Sequence, residues 1–292
     1  MLRNYFIIAL RNLLRNKTYS FITIVGLSLG MACCILLMLT VRHNITFDSF
    51  HTNKESLYRI YTKTQEQSGE ERTSSCPLPL APTLKAEIPS IVYASRLNSF
   101  PPTTVKYNNT PFREYPRFVD EDFIKMFSFT FLQGSPETAL KDVQSMIITK
   151  EVADKIFGVN AQVIGKQVSM QIAGEFKPFM ITGVIADVPE NSTLEVSVLV
   201  RFEGNPQYAF DKDRWDNIST ETYVMLKEGV NAQEFEKSLL PFVEKHYAEN
   251  IKGKKDGGVK PNERGHFYEL YAQPLEDWHF NTLLDKNNSA KA

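Results

Sequence analysis

The longest uncharged run in this sequence dictates the environment in which the chain can fold. From Tyr19 to Val41, 23 consecutive residues carry no charge and are rich in Ile, Leu, Val and Met. As a helix, at about 1.5 Å rise per residue, the run spans about 35 Å, whereas the hydrocarbon core of a bilayer is about 30 Å thick. Only a helix satisfies the backbone of such a segment in lipid. We therefore predict a transmembrane helix over residues 19–41.

The charges that flank this run set its orientation. Residues 1–41 contain no acidic residue and four basic ones, all before the run: Arg3, Arg11, Arg15 and Lys17. Because basic flanks stay in the cytoplasm, we expect a cytoplasmic N-terminus, with these four side chains anchoring the chain at the inner leaflet. Removing the four from the 33 basic residues of the chain leaves 29 against 34 acidic residues, a formal charge of −5 beyond Val41.

Two other interpretations of the apolar run are weaker. A signal peptide has an apolar region of about 7–15 residues that ends in a small-x-small cleavage site. Here Ala32, Cys33 and Cys34 are followed by five further apolar residues, which also argues against lipoprotein cleavage at either cysteine. We therefore favour a retained, single-pass membrane anchor.

The segment before the membrane run is amphipathic. Within residues 2–16, one helical face carries the apolar side chains Leu2, Phe6, Ala9, Leu10, Leu13 and Leu14, and the arginines lie elsewhere. This pattern predicts an interfacial helix over 1–18 that lies on the lipid of the inner leaflet. A plain cytoplasmic extension of the transmembrane helix is the alternative.

Small residues interrupt the middle of the membrane run. Gly26-Leu27-Ser28-Leu29-Gly30 matches the G-x-S-x-G elbow of hydrolases, but that elbow needs a strand, a turn and a helix that a membrane span cannot provide. The same residues form G-x-x-x-G, which lets two helices approach closely in lipid. We predict that Gly26, Ser28 and Gly30 pack against another membrane helix. The alternative is that they are merely small residues of an isolated anchor.

The residues beyond the membrane have the composition of a folded α+β domain. The chain is 42% hydrophobic and contains 20 Phe and 12 Tyr, which excludes disorder throughout. Its third cysteine, Cys76, has no partner outside the membrane run, so an internal disulfide is excluded there. Helices and strands are predicted to alternate irregularly, which is typical of the α+β class.

Several local elements can be predicted along this domain. A helical stretch is expected to end near Tyr58, and residues 59–98 are punctuated by Ser, Thr and Pro around one brief helix near 83–86. Alternating residues around Asn108-Asn109 predict a hairpin of 103–107 with 111–119. The best helix covers 231–250 with Asn231 as its cap, and the Gly/Lys-rich residues 251–264 are expected to form an exposed loop.

Motifs for catalysis are missing from the sequence. No G-x-x-x-x-G-K-[ST] phosphate loop and no H-E-x-x-H pair occurs among its residues. Glu276, Asp277 and His279 are close together, but such weak spacing favours solvated surface groups over a metal site. A net charge of −1 argues against nucleic-acid binding. We expect no catalytic, cofactor-binding or metal-binding residue in the chain. We therefore expect that the protein is not an enzyme.

Several phrases taken together resemble the MacB/FtsX-like permeases of ABC transporters. They run in the family order over nearly the whole chain: ALRNLLRNKTYSFITIVGLSLGMA (9–32), FDSFHTNKESLYRI (47–60), VDEDFIKMFSFTFLQGSPETAL (119–140), IITKEVADKIFG (147–158), VIGKQV (163–168), ITGVIADVPENSTLEVSVLV (181–200), YVMLKEGVN (223–231) and QPLEDWHF (273–280). The resemblance implies one N-terminal transmembrane helix and a two-subdomain α+β periplasmic core domain. We place that domain at 42–285, an inserted subdomain at roughly 118–200, and a polar tail at 286–292.

The resemblance also implies how such a chain works. The membrane protein lacks ATPase activity, and ATP binds only to a separate cytoplasmic subunit. The permease pairs as a homodimer or with a second permease half in the inner membrane, and a periplasmic partner is possible. ATP-driven motion then reaches the periplasmic domain and serves efflux or mechanotransmission through the envelope.

The C-terminal end departs from the family pattern. Family permeases continue into three further membrane helices, whereas this sequence ends in the polar residues 287–292. We expect either a fragment of a permease or a naturally short protein. The competing hypothesis is a single-pass, membrane-anchored periplasmic adaptor or binding protein without ATPase coupling.

Overall fold

The computed structural model describes residues 2–278, which form two compact units divided after Phe47. The first unit holds the helices α1 (Leu2–Arg15) and α2 (Lys17–Ile45). Asn16 separates them because its backbone, at φ −108° and ψ 59°, is not helical. Helix α2 contains the whole predicted span of 19–41, and an 18-residue stretch within it has a mean hydropathy of 2.5. By length and composition it is able to cross a membrane.

The second unit begins at Asp48 and is built on one mixed sheet. Its strands are, in chain order, β1 (Leu57–Glu66), β2 (Gly69–Thr73), β3 (Ser75–Pro77), β4 (Ile91–Ser99), β5 (Thr103–Tyr107), β6 (Thr110–Glu114), β7 (Pro116–Val119), β8 (Phe131–Gly134), β9 (Ser145–Thr149), β10 (Gln167–Ile172), β11 (Glu175–Ile185), β12 (Val198–Arg201), β13 (Ile218–Leu226) and β14 (Tyr268–Pro274). Its helices are α3 (Leu80–Glu87), α4 (Phe123–Met126), α5 (Lys150–Phe157), α6 (Tyr208–Asp211), α7 (Ala232–His246) and α8 (Ala248–Asp256).

The sheet runs in the order β14-β1-β13-β4-β7-β12-β9-β11-β10-β5-β6. Strands β2, β3 and β8 pair with β1, β13 and β11 beside this path. Most neighbours are antiparallel, but β7 pairs with β12 and β9 pairs with β11 in parallel. The predicted α+β class is confirmed, with helices and strands in one mixed domain. The predicted subdomain bounds at 118–200 stay a prediction.

Three buried clusters form the core of the second unit. One joins the β14-β1-β13-β4 end of the sheet to α3 and α7, and another joins the β9-β11-β10-β5 end to α5. A third cluster lies on the opposite face of the sheet, since Ile147, Leu199 and Tyr223 alternate along their strands with residues of the other two clusters. It is rich in aromatic residues, which include Phe123, Phe127 and Trp278. The middle of the sheet is therefore covered by rings that belong to distant parts of the chain.

The predicted hairpin is confirmed, with a shorter second strand. Asn108 and Asn109 take positive φ angles of 46° and 64° between β5 and β6, as a tight two-residue turn requires. The predicted strand 111–119 is two strands, β6 and β7, separated at Tyr115. Strand β6 pairs with β5, whereas β7 pairs with β4 and β12, so the chain must change partner at this residue.

The prediction of a loop at 251–264 was wrong for residues 251–256, because α8 continues to Asp256. Asn231 caps α7 as predicted, and its side chain accepts the backbone N–H of Gln233 at 2.8 Å. Gly253 within the helix and Gly257 directly after it disfavour a helix in this segment, but tertiary contacts outweigh propensity here. Ile251 packs against the core and Lys254 donates to the carbonyl of Gln65 at 2.8 Å.

Residues 59–98 contain more strand than expected. The predicted brief helix is present as α3, but β1, β2, β3 and β4 also lie here. The helical stretch expected to end near Tyr58 is a short 3-10 helix over Lys54–Ser56, and Tyr58 itself lies on β1. Strand β1 is covered on both faces, since Leu57 belongs to one core cluster and Tyr58 and Ile60 to another, so its side chains do not follow the simple alternation that identifies a half-exposed strand.

Candidate functional site

The predicted anchoring residues lie on the first unit. Arg11, Arg15 and Lys17 are exposed around the α1–α2 break, and the side chain of Arg3 lies outside the described part of the chain. Their role at the inner leaflet stays a prediction.

The predicted packing residues lie in the middle of α2. A Cβ added at Gly26 or Gly30 would meet no atom within 4 Å, so this face of the helix is open in the structure. Gly26 and Gly30 share a face because they are four residues apart, whereas Ser28 lies about 200° around the helix from Gly26. A helix that packs on the two glycines would therefore not contact Ser28. Packing at all three positions stays a prediction, and packing at Ser28 requires a second helix on the opposite face of α2.

Residues 2–278 contain no group of three His, Cys, Asp or Glu side chains that could hold a metal ion. Glu276 and Asp277 lie in a short 3-10 helix after β14, and His279 lies outside the described residues. The informative geometry is elsewhere, at the segment that directly follows the membrane helix.

Asp48, the first residue of the second unit, is fixed by a loop 144 residues further along the chain. Its backbone N–H donates to the carbonyl of Asn191 at 2.9 Å. Its carboxylate accepts the backbone N–H of Thr193 at 2.9 Å, the hydroxyl of Ser192 at 3.1 Å, and the hydroxyl of Thr193. Asp48 is 2% exposed and has a φ of 52°, a conformation that Asp tolerates better than most residues.

His51 makes the second attachment. Its Nδ1 atom accepts the backbone N–H of Ser128 at 3.0 Å, and the ring is buried. Burial lowers the pKa of His51 from 6.5 to about 4, although the nearby charge of Asp48 acts in the opposite direction. The ring is therefore neutral at pH 7 and carries its proton on Nε2, which is buried with no hydrogen-bond partner among the described residues.

The next two residues continue this attachment. The backbone N–H of Thr52 donates to the hydroxyl of Ser128 at 2.9 Å, and the side-chain amide of Asn53 donates to the carbonyl of Met126 at 3.3 Å. We call residues 48–53 the junction segment. It is bound on one side to the loop at 191–193 and on the other to residues 126–128, at the end of α4 and directly after it.

The last described residue reaches the same place. Trp278 is 1% exposed and its indole N–H donates to the carbonyl of Gln273 at 3.0 Å. Its ring lies 4.9 Å from Tyr223 and 6.3 Å from Phe127, and Phe127 in turn lies 5.3 Å from His51, measured between ring centroids. The chain thus enters and leaves the described domain beside one aromatic cluster.

A groove of about 500 Å³ lies beside the loop that Asp48 holds. Its walls are residues 188–197 of that loop, together with the end of β4 and the start of β7. Arg117 on β7 crosses to the loop, where its guanidinium donates to the carbonyl of Glu195. The junction segment and the groove therefore share one loop.

Sequence reasoning missed Asp48 and His51 as functional candidates. Both lie in the phrase FDSFHTNKESLYRI, and their partners at 191–193 and 126–128 lie in two other phrases that carry the family resemblance. The signal was therefore present in three separate phrases. The sequence alone did not indicate that these phrases meet in space.

Comparison with known proteins agrees with this architecture. The sequence profile described as "MacB-like periplasmic core domain" matches residues 20–241. No significant match was found among curated protein sequences. Among solved structures, a domain of a putative permease protein from Porphyromonas gingivalis aligns with a TM-score of 0.65 and 22% identity, over 77% of this chain and 91% of that one. At this identity the alignment shows a shared fold.

Two more distant structures also match. The periplasmic region of MacB from Actinobacillus actinomycetemcomitans aligns with a TM-score of 0.47 and 15% identity, over 82% of this chain and 95% of that one. The extracellular domain of the noncanonic ABC-type transporter YknZ from Gram-positive bacteria aligns with a TM-score of 0.43 and 14% identity, over 73% and 98%.

An apolar N-terminal helix followed by a mixed α+β domain of this topology defines a domain of the ABC-type permease class. The profile match covers more than half of the chain. This protein therefore belongs to the family of MacB-like periplasmic core domains.

Proposed function

We propose that this chain is the N-terminal, non-ATPase membrane part of a MacB/FtsX-like ABC permease. In this role it passes ATP-driven conformational change from the cytoplasm to its periplasmic domain, for efflux or for mechanotransmission through the envelope. ATP is bound by a separate cytoplasmic subunit, and the chain itself binds no cofactor. The N-terminus lies in the cytoplasm and the bulk of the chain in the periplasm, attached to the inner membrane.

The observation that carries the proposal is the attachment of Asp48. This residue follows α2 after only two further residues, Thr46 and Phe47, so any movement of the helix end acts first on the junction segment. Four hydrogen bonds join Asp48 to residues 191–193, and four more join His51, Thr52 and Asn53 to residues 126–128. A buried, multiply bonded entry point transmits displacement better than a flexible linker would.

Partners follow from the same role. A permease of this class works with a cytoplasmic ATP-binding subunit. It pairs as a homodimer or with a second permease half, and the open face of α2 that carries Gly26 and Gly30 forms the contact between the helices. A periplasmic partner would bind the domain that the junction segment moves. We expect no nucleic-acid partner.

The proposal is tested by purifying the full chain, tagged in its native membranes, and identifying what accompanies it. We expect a cytoplasmic ATP-binding subunit in stoichiometric amount, retained in the mild detergent that preserves the pair. If the chain is recovered without such a subunit while the membranes contain one, the permease role is rejected. The adaptor hypothesis would then replace it.

A further inference from the structure

The groove of about 500 Å³ beside the junction segment has the size of a small-molecule site. Pockets that hold drug-sized ligands measure about 300–1,000 Å³. The groove lies between Ser99 and Phe100 at the end of β4, Tyr115 to Arg117 at the start of β7, and the loop that connects β11 to β12. All of these residues belong to the second unit.

The wall formed by this loop is held in place by the rest of the domain. Twelve residues, 186–197, connect β11 to β12 without a helix or strand, and connections of this length in compact domains are commonly functional. Asp48 fixes the middle of the loop through residues 191–193. At its end, the hydroxyl of Ser197 donates to the carbonyl of Tyr115 at 3.0 Å. These hydrogen bonds hold this wall of the groove in position.

The floor of the groove is apolar and partly aromatic. Leu194 and Pro116 are buried, and Val196 is half-buried beside them. The ring of Phe100 is fixed against that of Phe118, edge to face at 5.4 Å between centroids. Tyr115 is 58% exposed, so its ring face is available to a ligand. Such a surface favours a ligand with a flat or branched apolar body.

The charges of the groove favour a positive ligand. Its one base, Arg117, already donates to the carbonyl of Glu195 and the hydroxyl of Ser99, and lies 3.7 Å from the Glu195 carboxylate. The second acid, Glu190, is exposed and has no ion-pair partner among residues 2–278. One base and two acids give the lining a formal charge of −1, and both acidic side chains are exposed, so a cation in the groove can reach their carboxylates.

We propose that this groove binds a small organic cation, with its apolar body on Phe100 and Val196 and its charge beside Glu190 and Glu195. The exposed ring of Tyr115 adds a cation–π contact. Because the loop that carries both acids is the loop bound by Asp48, the ligand sits on the part of the domain that is tied to the junction segment. The site does not depend on coupling to an ATP-binding subunit.

The test uses the full chain in nanodiscs of zwitterionic lipid and two water-soluble probes of matched size, benzyltrimethylammonium and phenylmethanesulfonate. Isothermal titration is expected to show saturable binding of the cation and none of the anion. Glu190→Gln should weaken cation binding about threefold, and the double variant Glu190→Gln/Glu195→Gln about tenfold, as for exposed charge pairs. Val196→Trp should abolish binding, because the indole fills the groove.

Glu228→Gln is the matched control, since Glu228 is an exposed carboxylate of the same domain that does not line the groove. It should bind the cation as the unaltered chain does. Equal binding of the two probes would overturn the proposal, and so would full binding by Val196→Trp. An equal loss in Glu228→Gln and Glu190→Gln would also overturn it, since the effect would then be one of overall charge.

Discussion

At the scale of single residues, Asp48 combines a buried carboxylate with a left-handed backbone. Replacing it with Ala removes the acceptor of three hydrogen bonds and places an unsuitable residue at positive φ. We expect Asp48→Ala to lower the free energy of unfolding by about 2–4 kcal/mol. Asp48→Asn keeps one acceptor and tolerates the same φ, so its loss should be about half as large.

Chemical denaturation of the full chain, followed by Trp fluorescence, measures both values. Asp48→Gly serves as the control for backbone conformation, because Gly accepts positive φ but supplies no acceptor. Equal stability of the Ala variant and the unaltered chain would contradict the role given to this carboxylate.

His51 makes the stability of the domain depend on pH. Its pKa is about 4 in the folded chain and 6.5 in an exposed state, because burial disfavours the charged ring. Between these values the unfolded chain binds the additional proton, so stability is complete above pH 6.5 and decreases as the pH falls towards 4. The total decrease is roughly 3 kcal/mol.

The control for this prediction is His51→Asn, which does not titrate but keeps an acceptor for the N–H of Ser128. Its unfolding free energy should depend less on pH between 4 and 6.5 than that of the unaltered chain. Parallel pH profiles for the two proteins would show that His51 is not the titrating group.

At the scale of elements, the contact between β8 and β11 depends on a glycine. Gly134 has a φ of 83°, and a Cβ there would lie 2.4 Å from the backbone oxygen of Thr182. Gly134→Ala should destabilise the domain by about 3 kcal/mol, from strain and from this clash. Gly174, in the β10–β11 turn, has a φ of 90° but open space around it, so Gly174→Ala should cost only about 1–2 kcal/mol.

Thermal unfolding of the two variants checks this difference. The result that would contradict it is an equal decrease in melting temperature, since the close approach of β8 to β11 would then contribute nothing.

Elements with a strong local signal could be predicted from the sequence. The Asn108-Asn109 turn and the Asn231 cap are set by residues within a few positions of one another. Helix α8 could not be predicted, because Gly253 and Gly257 weaken its local signal and its support comes from β1. The attachment of Asp48 to Ser192 could not be predicted either, since nothing local relates residues 144 positions apart.

At the scale of the whole molecule, we predict that association in the membrane depends on the glycines of α2. Gly26→Ile/Gly30→Ile should reduce dimerisation at least several-fold in a membrane association assay, because the added side chains block close approach of the helices. Ser28→Ile is the matched control, since it lies on the opposite face and should leave association unchanged. Unchanged association of the double variant would show that Gly26 and Gly30 do not form the contact between the helices.

We propose that the junction segment passes ATP-driven motion to the periplasmic domain. Hydrogen–deuterium exchange of residues 188–197, measured in the complex of the full chain with its ATP-binding subunit, tests it most directly. We predict that ATP changes exchange in this loop, and that Asp48→Asn reduces the change while the complex stays intact. Exchange in this loop that is the same with and without ATP would contradict the proposal. It would also be contradicted if ATP changed the exchange in Asp48→Asn and in Asp48→Ala as much as it does in the unaltered chain.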